Sequence, residues 1–162
     1  MSIAVYPGSF DPITNGHLGI IKRGLQVFDR LIIAVAQNAR KAALFTVEER
    51  LEMIRVALNN HPCCEVDTFE GLTVNYAAKR GARVIIRGLR AVADFEYELQ
   101  MANMNRKINS AVETMFMMTA EEYFFVSSKT VKEVASLNGT VKDLVPPIAA
   151  KKLAEKFGMP VG

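Results

Sequence analysis

Apolar residues in this chain fall into short β-branched runs that alternate with stretches of helical spacing. Residues 3–6 predict a buried strand, stopped by Pro7 and Gly8. Residues 31–36, an unbroken Leu-Ile-Ile-Ala-Val-Ala run, predict a second, and residues 64–69 a third. A fourth is predicted over 83–86, stopped by Arg87 and Gly88, and a fifth over 114–119. Residues 17–28 place Leu18, Ile21, Leu25 and Phe28 on one helical stripe. Thr46 and Glu49 have capping-box spacing ahead of a second stripe of Leu51, Ile54 and Leu58. Further helices are predicted over 74–79, ended by Gly81, and over 93–108. Ser127 or Thr130 caps another that runs to Leu137, with Thr130 and Glu133 spaced as a second capping box. Pro146-Pro147 opens a last helix that Gly158 ends.

Near-continuous apolar strands, each followed by a helix, indicate a parallel sheet covered on both faces. The expected fold class is therefore α/β, a doubly wound domain, and 162 residues suit one domain over 1–162. Hydrophobic residues at 50% against 23% charged exclude an intrinsically disordered chain. The net charge of +3 is too small to imply nucleic acid without clustering. Lys151, Lys152 and Lys156 in the last helix read as a solvated face, since only Phe157 is interleaved with them. Cys63 and Cys64 are sequence neighbours with no other cysteine to pair with, so two reduced thiols are expected. Reduced thiols, no basic-then-apolar leader and no long apolar run fit a cytoplasmic protein without a membrane span.

Doubly wound sheets bind ligands outside the carboxyl ends of their strands, at the switch point. Three loops there carry chemistry. In the first, residues 8–17, small residues let a ligand approach the backbone, and the following helix offers free N–H groups to a phosphate. His17 in its first turn is a candidate phosphate donor rather than only a helix cap, because Gly8, Ser9, Thr14 and Gly16 surround it. The pattern is neither a Walker A loop nor a dinucleotide glycine fingerprint. In the second loop Arg87 and Arg90 bracket Gly88 and Leu89, giving planar cationic forks for phosphate oxygens. In the third, residues 125–133, hydroxyls meet a helix start. Lys41 lies in a polar loop after the second strand. His61, before Pro62, has no evident role, and no metal-ligand cluster or nucleophile–base pair is visible. Cations and N–H donors without a nucleophile suit phosphoryl or nucleotidyl transfer between bound substrates.

Gly8-Ser9-Phe10-Asp11-Pro12 with Thr14-Asn15-Gly16-His17 resembles the (H/T)xGH signature of the nucleotidylyltransferase superfamily. The run from Arg87 to Glu98, with Ser127-Ser128 and Val131-Lys132-Glu133, narrows the resemblance to the bacterial phosphopantetheine adenylyltransferase family. It covers nearly the whole chain. It implies a Rossmann-like nucleotidyltransferase fold with a five-stranded parallel sheet. It also implies AMP transfer from ATP to 4′-phosphopantetheine, giving dephospho-CoA and pyrophosphate, with Mg²⁺ and a cytoplasmic homohexamer.

By this resemblance His17, Lys41 and Arg90 hold charge at the reacting phosphates. Ser9, Phe10, His17, Gly88, Leu89, Arg90 and Glu98 serve ATP, and Tyr123, Phe124, Phe125, Val126, Ser127, Ser128 and Lys129 close over it. Ser9, Lys41, Thr73 and Arg87 bind phosphopantetheine. Ser9 keeps the hydroxyl of the threonine common in the family; Thr73 stands where apolar residues are common, and Lys129 where some members have serine. Within the enzyme class the rival is another nucleotidyltransferase of the superfamily, acting on a pyridine mononucleotide or a phosphorylated alcohol; from other classes come a nucleotide-binding sensor without turnover and, weakest, a nucleic-acid-binding α/β module. The methionine-rich stripe of Met101, Met104, Met115, Met117 and Met118 reads as core or subunit packing.

Overall fold

A computed structural model describes residues 1–37 and 42–159 of the chain. Asn38, Arg40 and Lys41, which the sequence placed in the polar loop, lie outside the described residues. The chain runs β1 (Ile3–Gly8), α1 (Asn15–Gly24), β2 (Arg30–Ala36), α2 (Val47–Ala57), β3 (Cys64–Phe69) and α3 (Thr73–Lys79). It continues through β4 (Val84–Leu89), α4 (Val92–Ile108), β5 (Glu113–Met118), a 3₁₀ turn (Glu121–Tyr123), α5 (Ser128–Ser136) and α6 (Pro147–Phe157).

The five strands form one sheet in the order β3-β2-β1-β4-β5. All four pairings are parallel, with Val5 opposite both Ile32 and Ile85. The first three strands step outward in one direction, and the chain then crosses back to set β4 against β1 on the other side. This reversal is the switch point, and it places the crevice at the carboxyl ends of β1 and β4.

Side-chain alternation divides the strands between two cores. Ala4, Tyr6, Leu31, Ile33, Val35 and Ile86 face one side, where Ile20 and Ile21 of α1, Met53 and Ile54 of α2, Val131 of α5 and Leu153 of α6 cover them. Val5, Ile32, Ala34 and Ile85 face the other, against Val74 and Ala77 of α3. That two-sided burial is why these strands read as unbroken apolar runs. α4 is different. Glu98 is its one buried residue among those whose burial is described, and Phe95, Tyr97, Leu99, Met101, Met104 and Ile108 are all exposed.

Several boundaries differ from the sequence reading. β1 continues through Pro7 and Gly8, paired with Ala34 and Val35. β4 continues through Arg87, Gly88 and Leu89, because β5 supplies partners at Phe116, Met117 and Met118. The first helix ends at Gly24, and Leu25 to Phe28 fold back in turns onto Ile21, Arg23 and Gly24 carbonyls. The Thr46–Glu49 capping box is present. In α5 the box joins Ser127 to Thr130 instead of Thr130 to Glu133, so Ser127 is the cap. Lys152 and Lys156 are not simply solvated: they pair with Glu52 and Glu49 at 3.0 and 3.1 Å, tying α6 to α2. Among the described residues no helix is long and apolar enough to cross a membrane.

Candidate functional site

The loop after β1 turns sharply beneath its own aromatic ring. Phe10 sits at φ 47° with 2% of its surface exposed. Its ring lies so close under Gly8 that a Cβ there would meet it at 3.0 Å, so a larger residue would displace the ring. The Phe10 ring packs edge-on against Tyr6, with centroids 5.4 Å apart, and against His17 at 5.0 Å. Phe10 therefore supports the histidine from below. The buried Arg50 of α2 donates to the Ser9 carbonyl at 2.9 Å and fixes the loop from outside.

Thr14 caps α1, and its hydroxyl accepts the His17 N–H. In return His17 Nδ1 accepts the Thr14 backbone N–H at 3.0 Å. That bond assigns the tautomer: Nδ1 carries the lone pair, so in the neutral ring Nε2 carries the hydrogen. Burial among protein atoms, reinforced by Arg90 and then Arg87, pushes the His17 pKa down from 6.5 to about 4. Near neutral pH His17 is an uncharged N–H donor. The sequence posed a choice between helix cap and phosphate donor, and the geometry lets one ring do both through its two nitrogens.

Arg87, near the end of β4, is gripped on three sides. Its Nε and Nη2 donate to the two oxygens of Glu98 at 2.7 and 2.6 Å, and Nη1 donates to the Pro7 carbonyl at 3.0 Å. Burial opposes the guanidinium charge, yet Glu98 outweighs it and holds the Arg87 pKa above its ordinary value. Arg90 donates to Asp94, at 3.2 Å for the shorter contact, and to the Val126 carbonyl at 3.1 Å. Burial also raises the Tyr6 phenol well above its usual pKa, so it stays protonated beside the arginines.

These groups enclose a cavity of about 260 Å³. Ser9, Phe10, His17, Arg87, Gly88, Arg90, Glu98, Val126, Ser127 and Ser128 all line it. The amino ends of α1 and α5 both open on it, giving two sets of helix N–H donors beside two guanidinium groups. A second cavity of about 180 Å³ adjoins it, sharing Pro7, Arg87 and Glu98, and Thr73 lines its wall. The two spaces thus meet at Arg87.

Other expected residues stand elsewhere. Leu89 is buried in β4, Tyr123 packs on the core, Phe124 and Phe125 are exposed, and Lys129 points to solvent. None of these five lines either cavity. Lys41 lies outside the described residues. Tyr6, Pro7, Asp94 and Thr119 line the first cavity without having been singled out. Asp94 was within reach, in the first turn of the predicted helix and four residues after Arg90. Tyr6 and Thr119 were marked only by their places at strand ends. Tyr97, Met101, Ala102 and Asn105 join the second cavity through the face that α4 turns toward it.

An anion cradle at the switch point of a doubly wound sheet suits the phosphates of a nucleotide. Residues 5–134 match the model of the cytidylyltransferase-like family. The chain is 57% identical over 157 residues to the phosphopantetheine adenylyltransferase of Anaeromyxobacter dehalogenans strain 2CP-C, covering 97% of this chain and 96% of that protein. The protein of the same name from Carboxydothermus hydrogenoformans is 59% identical, with 97% of each chain covered. That from Geobacter sulfurreducens is 56% identical over 158 residues, covering 98% of this chain and 96% of the relative. The chain belongs to the phosphopantetheine adenylyltransferase family.

Proposed function

We propose that this chain transfers AMP from MgATP to 4′-phosphopantetheine, giving dephospho-CoA and pyrophosphate, with residues 1–162 acting as one nucleotidyltransferase domain. The observation that carries the site assignment is the pair of adjoining cavities meeting at Arg87, one rimmed by two helix amino ends and the other lined by Thr73. The first suits a nucleotide triphosphate and the second a narrower acceptor arm.

In this reading the acceptor phosphate attacks the α-phosphorus of ATP in line, and the bond to the β-phosphate oxygen breaks. A phosphate is already anionic near neutral pH, so no side chain has to remove a proton from it. His17 Nε2–H, Arg90 and Lys41 hold charge that grows on the phosphoryl oxygens. A neutral His17 fits that task, since it donates a hydrogen bond without exchanging a proton. Ser9, Arg87, Lys41 and Thr73 take the acceptor. Ser9, Phe10, Gly88, Arg90, Glu98, Val126, Ser127 and Ser128, which line the first cavity, take ATP, and Leu89, Tyr123, Phe124, Phe125 and Lys129, which do not line it, would reach the nucleotide only by a movement of the chain.

Magnesium enters as part of the substrate. Among the described residues no cluster of three His, Cys, Asp or Glu side chains could cage a metal. The cavity carboxylates Asp94 and Glu98 are taken by Arg90 and Arg87. The donor set therefore fits a cation held mainly by phosphate and water oxygens. The exposed apolar side of α4 and β5 supports assembly as a homohexamer, and a cytoplasmic location fits the free thiols of Cys63 and Cys64.

Stereochemistry tests the reaction and its course together. One diastereomer of adenosine 5′-O-(1-thiotriphosphate) is expected to give thio-dephospho-CoA with inverted configuration at phosphorus. Retention would rule out a single displacement, and absence of the product would rule out the reaction.

A further inference from the structure

Asp11 is only 5% exposed, yet it lines neither cavity. Its carboxylate accepts three donors. The Leu44 N–H lies 3.0 Å from Oδ2, the Phe45 N–H lies 2.9 Å from Oδ1, and the Lys132 ammonium lies 2.7 Å from Oδ2. Asp11 itself belongs to the loop that leads into α1 and His17. Leu44 and Phe45 lie on the approach to α2, three and four residues after Lys41. Lys132 belongs to α5, one helical turn beyond Ser128. One buried carboxylate thus joins three chain segments, two of which, the loop into α1 and the start of α5, border the first cavity.

The same loop is fastened at a second point. Ser128 Oγ donates to the Pro12 carbonyl at 2.7 Å. Ser128 and Lys132 therefore hold the adjacent residues Pro12 and Asp11 from one face of α5. This geometry sets where the amino end of α5, with Ser127 and Ser128 on the cavity wall, stands relative to His17. An exposed ion pair would contribute little to such placement. This one has a buried anion whose remaining donors are backbone N–H groups, so removing the ammonium leaves the carboxylate short of charge compensation.

We infer that Asp11 and Lys132 are a positioning pair for the adenylyl-transfer site, locking the amino end of α5 to the loop that presents His17. Neither side chain touches the reacting atoms. The inference rests on the assignment of the first cavity to MgATP. Its effect is on register: a cradle built from two helix ends holds phosphate well only when the two ends keep their separation.

The test replaces Lys132 by methionine, which keeps an unbranched stem of similar length and removes the ammonium. Lys132→Met is expected to weaken MgATP binding, measured by calorimetry, about tenfold and to lower kcat by a similar or larger factor, since small misplacements at a reacting centre are costly. Its melting temperature is expected to fall, because the buried Asp11 carboxylate loses its counter-charge, so binding and kcat are measured well below the unfolding transition. Lys132→Arg, which can still reach Asp11, should recover most of both losses. Asp11→Asn should act in the same direction, and the double variant should be no worse than the poorer single variant. Wild-type affinity and kcat in Lys132→Met would overturn the inference, as would a lower melting temperature with unchanged KM and kcat. Losses that multiply in the double variant would also overturn it, by showing that the two side chains act separately. A wild-type chain that binds no MgATP would overturn the cavity assignment and the inference together. Wild-type binding equalled by Lys132→Met would overturn the inference alone.

Discussion

In the proposed reaction His17 acts as an uncharged N–H donor. Its folded pKa of about 4 lies below its ordinary 6.5, with burial as the leading cause and the two arginines adding to it. The unfolded chain therefore takes up a proton before the folded one does. The stability linked to His17 is fully present above pH 6.5 and is lost as pH falls through about 4. The chain has two histidines, so ring proton resonances can be assigned with one substitution. A titration of the ligand-free protein should place His17 at about 4, and a midpoint near 6.5 would contradict the buried, cation-flanked environment. Over the neutral range kcat should carry no ionisation of this ring. Loss of one donor to developing phosphoryl charge typically costs about a hundredfold or more in turnover. His17→Ala should fall in that range with KM for ATP moved far less. An unchanged kcat would remove His17 from the mechanism.

Capping motifs of the same form do different work on different helices. Thr46 and Glu49 close the amino end of α2 away from both cavities. Thr46→Ala should cost about 1 kcal/mol of stability and leave turnover intact, as read by denaturant unfolding beside a steady-state assay. Thr14→Ala should cost a similar amount and also slow turnover, because Thr14 Oγ1 lies 3.1 Å from His17 Nδ1 and helps hold the ring. The strands and helices were legible in the sequence because burial on two sides leaves unbroken apolar runs and helices leave stripes. Their ends were less so. Arg87 and Gly88 looked like the stop of a strand, since local pattern cannot show that β5 lies alongside to supply partners. His17, Arg87, Arg90, Ser127 and Ser128 were legible as candidate phosphate ligands by their placement after strands, and the fold brings all five to the wall of the first cavity. Arg50 was not singled out, and Asp11 and Lys132 were named only as members of the motifs that carry the resemblance, without a role. Each acts through partners 33 to 121 residues away, and nothing local announces such a contact.

At the scale of the molecule, the two faces of the sheet are unequally covered. α4 and β5 expose Phe95, Met104, Ile108 and Met115, each more than 40% accessible. An apolar band of this kind on a folded chain suits contact with another protein surface, in keeping with the proposed assembly. With the proposed hexamer, Met104→Glu should shift the assembly toward smaller species in light scattering while the isolated chain stays folded. An unchanged mass would place the subunit contacts elsewhere. Within one chain, the arrangement has a plain consequence for the reaction. In the proposed reaction the two cavities that meet at Arg87 bring a nucleotide and an acceptor together. Chemistry should therefore require both ligands at once. The most direct measurement is pyrophosphate release in a single turnover from MgATP, with and without 4′-phosphopantetheine. Release only when the acceptor is present, with dephospho-CoA formed in equal amount, is the expected result. Equal release without the acceptor would contradict the account.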